Sequence, residues 1–190
     1  MTPARQALAA WAMTECTRPR DLSARVQGLA RAEGVKPPTV WRSMVEVIRA
    51  DLDRRREALR VAGYPPMAPG RMTWVCLPGP AVGQGRARVM RGRAAGSGLS
   101  SEWGRLRAQA AWLAMREVEP AVCADDFSLL IRVYRPAARL LKPDLDNVVK
   151  LHLDALTDAG CIRDDRFCRS LTAEVCDGPE EVQVMLTACL

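Results

Sequence analysis

Apolar residues in the first third of the chain recur every three or four positions, which is the spacing of one face of an α-helix. The spacing predicts a helix that has Asp21 as its N-cap and ends at Gly34, and a second helix from Pro38 to Ala62. The apolar positions are Leu22, Val26, Leu29 and Ala30 in the first helix and Val40, Met44, Val47, Ile48 and Leu52 in the second. We therefore place a small all-α module at residues 1–66.

The helical period stops at residues 63–70, where prolines and glycines predict a linker. The pattern that follows mixes helical and strand periods. It predicts helices that start at Ser101 and close to Asp146. It also predicts strands at residues 74–77, 127–134, 171–175 and 182–186, the last two as a hairpin. Residues 67–190 thus form one predicted domain of the α+β class, a small mixed β-sheet flanked by two helices.

Charge is unevenly distributed along this chain of 190 residues, whose net charge is +6. Residues 71–116 contain eight arginines and one acid, whereas residues 117–190 contain fourteen acidic and eight basic residues. A basic stretch of this kind is suited to binding phosphates. Within it, residues 78–100 are predicted to form a loop rich in glycine and arginine. The predicted contacts to a DNA backbone are Arg86, Arg88, Arg91 and Arg93.

Several classes of protein do not fit this sequence. No apolar run approaches the roughly 18 to 20 residues of a membrane-spanning helix, and the N-terminus lacks the pattern of a secretory signal. The seven cysteines include no C-x-x-C pair and the chain has one histidine, His152, so a zinc finger is excluded. We interpret His152 as an interior or surface residue, and the cysteines as the reduced thiols of a cytoplasmic protein.

Carboxylates and a lysine cluster in the acidic half of the chain. Asp144 and Asp146 stand two positions apart where a predicted helix begins, and Lys150 follows Asp146 by one helical turn. Two such carboxylates can bind a hard divalent cation such as Mg²⁺. Asp164 and Asp165 come after the helix, and we expect a returning strand to bring one of them to the same end. The alternative is a helix cap and a turn with no bound metal.

The sequence around these acids forms a long pattern. It consists of Lys-Pro-Asp-Leu-Asp-Asn-Val-Val-Lys at 142–150, Asp-Ala-Leu at 154–156 and Gly-Cys-Ile-Arg-Asp-Asp at 160–165, preceded by Pro-Gly-Pro at 78–80 and Gly-Arg-Ala-Arg at 85–88. Over residues 72–188 this pattern resembles the RusA family of Holliday junction resolvases.

The resemblance implies a RusA-like fold and a set of functional residues. Asp144, Asp146 and Asp165 would be the metal-binding catalytic acids, and Lys150 the catalytic lysine. The resemblance further implies Mg²⁺ as the cofactor and a homodimer that nicks two strands of a four-way DNA junction. Residues 1–66 lie outside it.

Two alternatives remain open at this point. The helices of residues 1–66 resemble a helix-turn-helix, in which Thr39, Trp41, Arg42 and Arg49 would face DNA. The chain could then be a DNA-binding regulator with a non-catalytic nuclease-like domain. A nuclease that prefers forks, flaps or other branched DNA is the nearer alternative. The presence of every acid and the lysine of the pattern favours an enzyme.

Overall fold

The computed structural model describes residues 1–63, 65–83, 88–90, 93–95, 99–119, 126–137 and 144–189, and of residues 88–90, 93–95 and 99 it describes the backbone. The chain divides into two compact units, Met1–Arg55 and Arg56–Leu190. The division falls inside a long helix, so the boundary at residue 66 remains a prediction.

Three helices begin the chain: α1 (Pro3–Thr14), α2 (Pro19–Ala32) and α3 (Pro37–Ala62). The second and third confirm the two predicted helices, but Asp21 is not the N-cap. Arg18 occupies that position, because proline is favoured as the first helical residue and α2 therefore begins at Pro19, earlier in the sequence than predicted. The left-handed backbone of Gly34, with φ of +67°, ends the helix as predicted.

Helix α1 was not predicted, although local signals for it exist. Pro3 stands at its first turn, and the side chain of Thr2 accepts a hydrogen bond from the backbone N–H of Arg5. Within this unit the Arg5 guanidinium also binds the Glu33 carboxylate (Nε to Oε2, 2.7 Å) and Ser43. The carboxylate bonds from Thr2 and Arg5 lower the pKa of Glu33. These bonds tie α1 to the end of α2.

The second unit is built on a four-stranded mixed sheet. Its strands are β1 (Met72–Pro78), β4 (Phe127–Arg135), β5 (Cys168–Asp177) and β6 (Glu181–Ala188), in the order β1-β6-β4-β5. Helix α4 (Leu99–Val118) packs on β1 and on α5 (Leu145–Asp158), and α5 also packs on β5. This arrangement confirms the predicted fold class, in which a small mixed sheet is flanked by two helices after an all-α region.

The predicted hairpin of the last two strands is wrong. β5 pairs with β4 in parallel and β6 pairs with β4 antiparallel, so β4 lies between them. Local periodicity identified both strands but not their partner. The central position suits β4 because Phe127, Leu129, Ile131 and Val133 are the apolar positions of one face, and each is at most 2% exposed.

The predicted loop after β1 also contains a second, smaller sheet. Strands β2 (Arg88–Met90) and β3 (Arg93–Ala95) pair antiparallel with each other. Among the described strands they join no other. We refer to these two strands as the ribbon.

Strand directions define two ends of the main sheet. Because β6 is antiparallel to both β1 and β4, strands β1, β4 and β5 all run the same way. We call the end where they finish, at Pro78, Arg135 and Asp177, the carboxyl edge. The end where they start, at Met72, Phe127 and Cys168, is the amino edge.

Candidate functional site

The start of α5 brings together three of the predicted site residues. Asp144 is the N-cap, in extended conformation, and its Oδ2 accepts a hydrogen bond from Nδ2 of Asn147 at 2.5 Å. Asp146 lies in the first turn, and Lys150 follows four positions later, which places both on one face of the helix. All three side chains are exposed. Two carboxylates at a helix N-terminus are favoured by the helix dipole.

The segment after β1 holds this helix start in place. A Cβ on Gly83 would lie 3.0 Å from Cβ of Asn147, which is tighter than most real Cβ contacts, so a side chain at residue 83 would require the segment or α5 to shift slightly. The hydroxyl of Ser101 in α4 donates to the carbonyl of Gly83 at 2.8 Å. Since Gly83 follows β1, the contact places Asp144 and Asp146 at the carboxyl edge.

Glycine in α4 allows a second close approach. A Cβ on Gly104 would lie 2.7 Å from Cγ1 of Val82 and 3.3 Å from Cδ1 of Leu151. The sequence pattern assigned no positioning role to Ser101, Gly104 or Asn147. A glycine inside the helical pattern of α4 was the available signal, since such a residue commonly marks a close packing contact.

His152 lies on the buried side of α5 and not on its exposed surface. It is 2% exposed, and its Nδ1 has no hydrogen-bond partner among the described residues. Burial lowers its pKa to about 4, so the imidazole is neutral at pH 7. It lines a cavity of about 20 Å³ with Pro78 and Arg107, and Arg107 donates to the Pro78 carbonyl at 3.0 Å. The structure thus places His152 in the interior, one of the two locations predicted.

Asp165 lies at the other end of α5, so the predicted return to Asp144 and Asp146 is wrong. The helix has 14 residues, which gives it a length of about 21 Å. Asp165 begins the 3-10 turn Asp165–Phe167, which leads directly into Cys168 of β5. Cys168 pairs with Phe127, the first residue of β4, and this fixes Asp165 at the amino edge.

Contacts at the C-terminal end of α5 agree with this placement. Gly160, with φ of +68°, turns the chain there, and a Cβ on it would lie 3.1 Å from Nη1 of Arg116. The same Nη1 donates to the carbonyl of Ala159 at 2.6 Å. Arg116 follows Met115, which contacts Thr73 near the start of β1. The two ends of α5 therefore lie at the two edges of the sheet.

Asp164 and Asp165 differ in their surroundings. The carboxylate of Asp164 caps the 3-10 turn by accepting the backbone N–H of Arg166 at 3.0 Å. This bond, helped by the Arg166 charge, lowers the pKa of Asp164. The side chain of Asp165 is exposed. Asp164 thus has a local structural role, and Asp165 presents its carboxylate to solvent.

One chain does not assemble the predicted metal site. Among the residues that the structure describes, no three His, Cys, Asp or Glu side chains lie close enough to share a metal ion. Asp144 and Asp146 form one acidic group at the carboxyl edge, and Asp165 belongs to another at the amino edge. The predicted set of three acids is therefore divided between two places.

The predicted DNA contacts are only partly described. Arg88 and Arg93 belong to the ribbon, while Arg86 and Arg91 lie outside the described residues. In α3, Thr39, Arg42 and Arg49 are exposed as predicted, but Trp41 is 6% exposed. The prediction that Trp41 faces DNA is wrong, because its position in α3 belongs to the buried stripe that includes Val40 and Met44.

Asp144 and Asp146 form an exposed pair of carboxylates at the start of α5, close to the segment that leads into the ribbon with Arg88 and Arg93. This arrangement suits an enzyme that acts on a polyanion. Residues 78–187 match the family described as Endodeoxyribonuclease RusA. The match covers more than half of the chain, and the chain belongs to this family of endodeoxyribonucleases. No curated protein sequence matches the chain.

Proposed function

We propose that the protein is a magnesium-dependent endonuclease that resolves Holliday junctions by paired phosphodiester hydrolysis during DNA recombination and repair. The observation that carries this proposal is the exposed group Asp144, Asp146 and Lys150 on the first turns of α5. Family membership supports DNA hydrolysis. The branched substrate and the metal are our extension of it. We assign the reaction to the cytoplasm. None of the described helices is long and apolar enough to cross a membrane.

The donor atoms at the start of α5 fit Mg²⁺. Asp144 and Asp146 offer hard carboxylate oxygens, the ligands this ion prefers, and they leave positions for water and phosphate oxygens. When bound, the ion would polarise the phosphate and acidify a water molecule. Asp144 and Asp146 would hold it, and Asn147 would keep the Asp144 carboxylate oriented through its hydrogen bond. Lys150 would donate to a phosphate oxygen and stabilise the charge that develops during hydrolysis.

The separation of the acids supports a homodimer. Asp165 lies one helix length from Asp144 and Asp146, so the three residues cannot bind the same ion within one chain. We propose that the partner's Asp165 completes each site. A twofold dimer would then hold two equivalent sites, which is what paired cuts in a four-way junction require.

Mixed dimers test this proposal directly. Asp146→Asn and Asp165→Asn chains should each be inactive alone. When the two are co-expressed, a mixed dimer contains one complete site, with Asp144 and Asp146 from one chain and Asp165 from the other. We expect nicking of a synthetic four-way junction to return in this mixture.

The matched control co-expresses Asp144→Asn with Asp146→Asn. These residues lie at the same end of α5, so no mixed dimer has a complete site and the mixture should stay inactive. Restoration in the control, or its absence in the first mixture, would show that the acids do not act across two chains.

Two other functions can be distinguished from junction resolution by the DNA substrates that the protein binds or cuts. A nuclease for other branched DNA would cut a fork or a flap faster than a four-way junction in the presence of Mg²⁺. A regulator would bind duplex DNA through α2 and α3, where Arg42 and Arg49 are exposed, and would cut none of these substrates. Comparing a four-way junction, a fork and a plain duplex in one assay decides among the three.

A further inference from the structure

The first compact unit of the chain, Met1–Arg55, lies outside the residues that match the nuclease family. It has a core of its own, to which all three helices contribute. Leu8 of α1, Val26 of α2 and Met44 of α3 are each at most 7% exposed. Such a unit, joined to a DNA-cleaving domain, can bind a ligand independently of that domain.

A short turn joins α2 to α3. Only residues 33–36 separate the two helices. Across Gly34, the backbone N–H of Val35 donates to the carbonyl of Ala30 at 2.9 Å, which is the Schellman arrangement that ends a helix sharply. The backbone of α2 lies close to α1 and does not run along α3, as it would in an antiparallel pair of helices. Two helices joined in this way by a short turn with glycine are typical of a helix-turn-helix.

Arg5 of α1 fixes the geometry of this turn. Its guanidinium bonds Glu33 at the end of α2 and the hydroxyl of Ser43 in α3 at 3.0 Å, so one side chain joins all three helices. The side chains of Arg5 and Glu33 are only 14% and 16% exposed, and water therefore screens their attraction less than it screens a pair on the surface. Arg5 also offsets the charge of Glu33, the only acid in the turn.

The first half of α3 presents a basic face. Thr39, Arg42, Glu46 and Arg49 follow one another at steps of three or four residues, so they share one side of the helix, and all four are exposed. Lys36, just before the helix, is exposed as well. Residues 34–45 contain two basic residues and no acid. The second half of α3 is different, because acids recur there at positions 51, 53 and 57.

The charge of the whole motif favours a polyanion. Residues 18–49 contain seven basic and three acidic side chains. Two of these acids are already next to an arginine, since Asp21 lies 3.5 Å from Arg20 and Glu33 bonds Arg5. Glu46 is the third. A surface of this charge attracts the phosphates of DNA, and the chain belongs to a family that acts on DNA.

We propose that α2, the turn and the first half of α3 form a second DNA-binding site, which holds a plain B-form duplex by placing α3 in the major groove. The groove is wide enough for an α-helix, and a helix-turn-helix inserts the first turns of its second helix there. Thr39 and Arg42 reach the base edges, and Lys36 contacts a phosphate. The site does not depend on which branched DNA the residues of α5 cut. It gives the nuclease a grip on unbranched DNA.

Binding of the full-length protein to a pool of random-sequence duplexes, measured without divalent metal so that no DNA is cut, tests this site. Replacing both Lys36 and Arg42 by alanine should weaken binding about 10-fold, and the slope of log K against log salt should fall by about 0.9 for the phosphate contact of Lys36. Arg54→Ala is the matched control, because Arg54 lies on the same helix and is 79% exposed but already bonds Asp51 at 2.9 Å. Circular dichroism confirms that the variants are folded. Equal affinities of the folded double variant and the control would overturn the proposal.

Duplex RNA of the same length distinguishes insertion into a groove from attraction by charge alone. The major groove of A-form RNA is too narrow to admit side chains to its base edges. The double substitution should therefore weaken binding to duplex DNA and leave binding to duplex RNA nearly unchanged. An equal loss on both nucleic acids would show that Lys36 and Arg42 act only as surface charges, and would overturn the placement of α3 in the major groove.

Discussion

The backbone of Gly104 packs directly against the side chain of Val82, so closely that a Cβ on residue 104 would lie 2.7 Å from Cγ1 of Val82. Val82 is β-branched and has little rotamer freedom with which to move away. The contact joins α4 to the segment that ends at Gly83, and Gly83 in turn touches the first turn of α5. The close packing beside the start of α5, where Asp146 lies, therefore includes a glycine in a neighbouring helix.

Gly104→Ala should destabilise the protein by about 1 to 3 kcal/mol, because overpacking outweighs the better helix propensity of alanine. Chemical denaturation measures the free energy of unfolding. Gly28→Ala is the matched control, since Gly28 also lies inside a helix but a Cβ there has no atom within 4 Å. The control should be stabilised by up to about 1 kcal/mol. Equal effects of the two changes would mean that the Gly104 contact does not constrain packing.

Asp146→Asn should abolish cleavage of a four-way junction, with a loss of about 10³-fold or more, while junction binding stays unchanged or becomes tighter. The substitution removes a carboxylate that we propose binds the metal, and with it one negative charge at the proposed DNA site. Asp154→Asn removes the same charge from the same helix, two turns further along, and should keep its activity. Cleavage assays and gel-shift titrations at one salt concentration measure both effects. Persistent cleavage by Asp146→Asn would remove this residue from the active site.

The ribbon should contribute to DNA affinity through counterion release. We expect that replacing both Arg88 and Arg93 by alanine weakens junction binding and makes its salt dependence shallower. Each lost phosphate contact reduces the slope of log K against log salt by about 0.9. Arg60→Ala is a control, because Arg60 is already paired with Glu57 at 2.7 Å on an exposed helix. An unchanged slope in the double variant would show that the ribbon does not contact the phosphate backbone.

Much of the fold was predictable because its signals are local. The periodicity of α3 and of β4, the glycine after α5, and the acids at its start depend on residues close together in sequence. Strand partners depend on contacts between distant segments, which a single sequence does not specify. The incorrect hairpin of β5 and β6 and the incorrect return of Asp165 have this one cause, since both follow from where β5 joins the sheet. Nor could the exposure of Leu171 in β5 be predicted, because strand alternation alone assigns it to a core.

His152 gives the protein a specific dependence of stability on pH. Burial lowers the pKa of His152 to about 4 in the folded state, from 6.5 for an ordinary histidine. Between these values the unfolded chain binds a proton that the folded chain does not, so folding stability falls as the pH is lowered below about 6.5. The slope contributed by this residue approaches about 1.4 kcal/mol per pH unit well inside that window. The slope from this residue becomes small above about pH 7.5, where the unfolded chain also leaves the imidazole mostly unprotonated.

Denaturation at pH 7.5, 6.5, 5.8 and 5.2 measures this effect before most carboxylates begin to titrate. Because His152 is the only histidine in the chain, His152→Leu removes every imidazole and keeps a buried apolar side chain of similar size. Its stability should stay nearly constant over the same range, while that of the unsubstituted protein falls. If both proteins lost stability in parallel, the titrating group would be elsewhere. A flat profile for the unsubstituted protein would mean that His152 can be protonated in the folded state without a cost from burial.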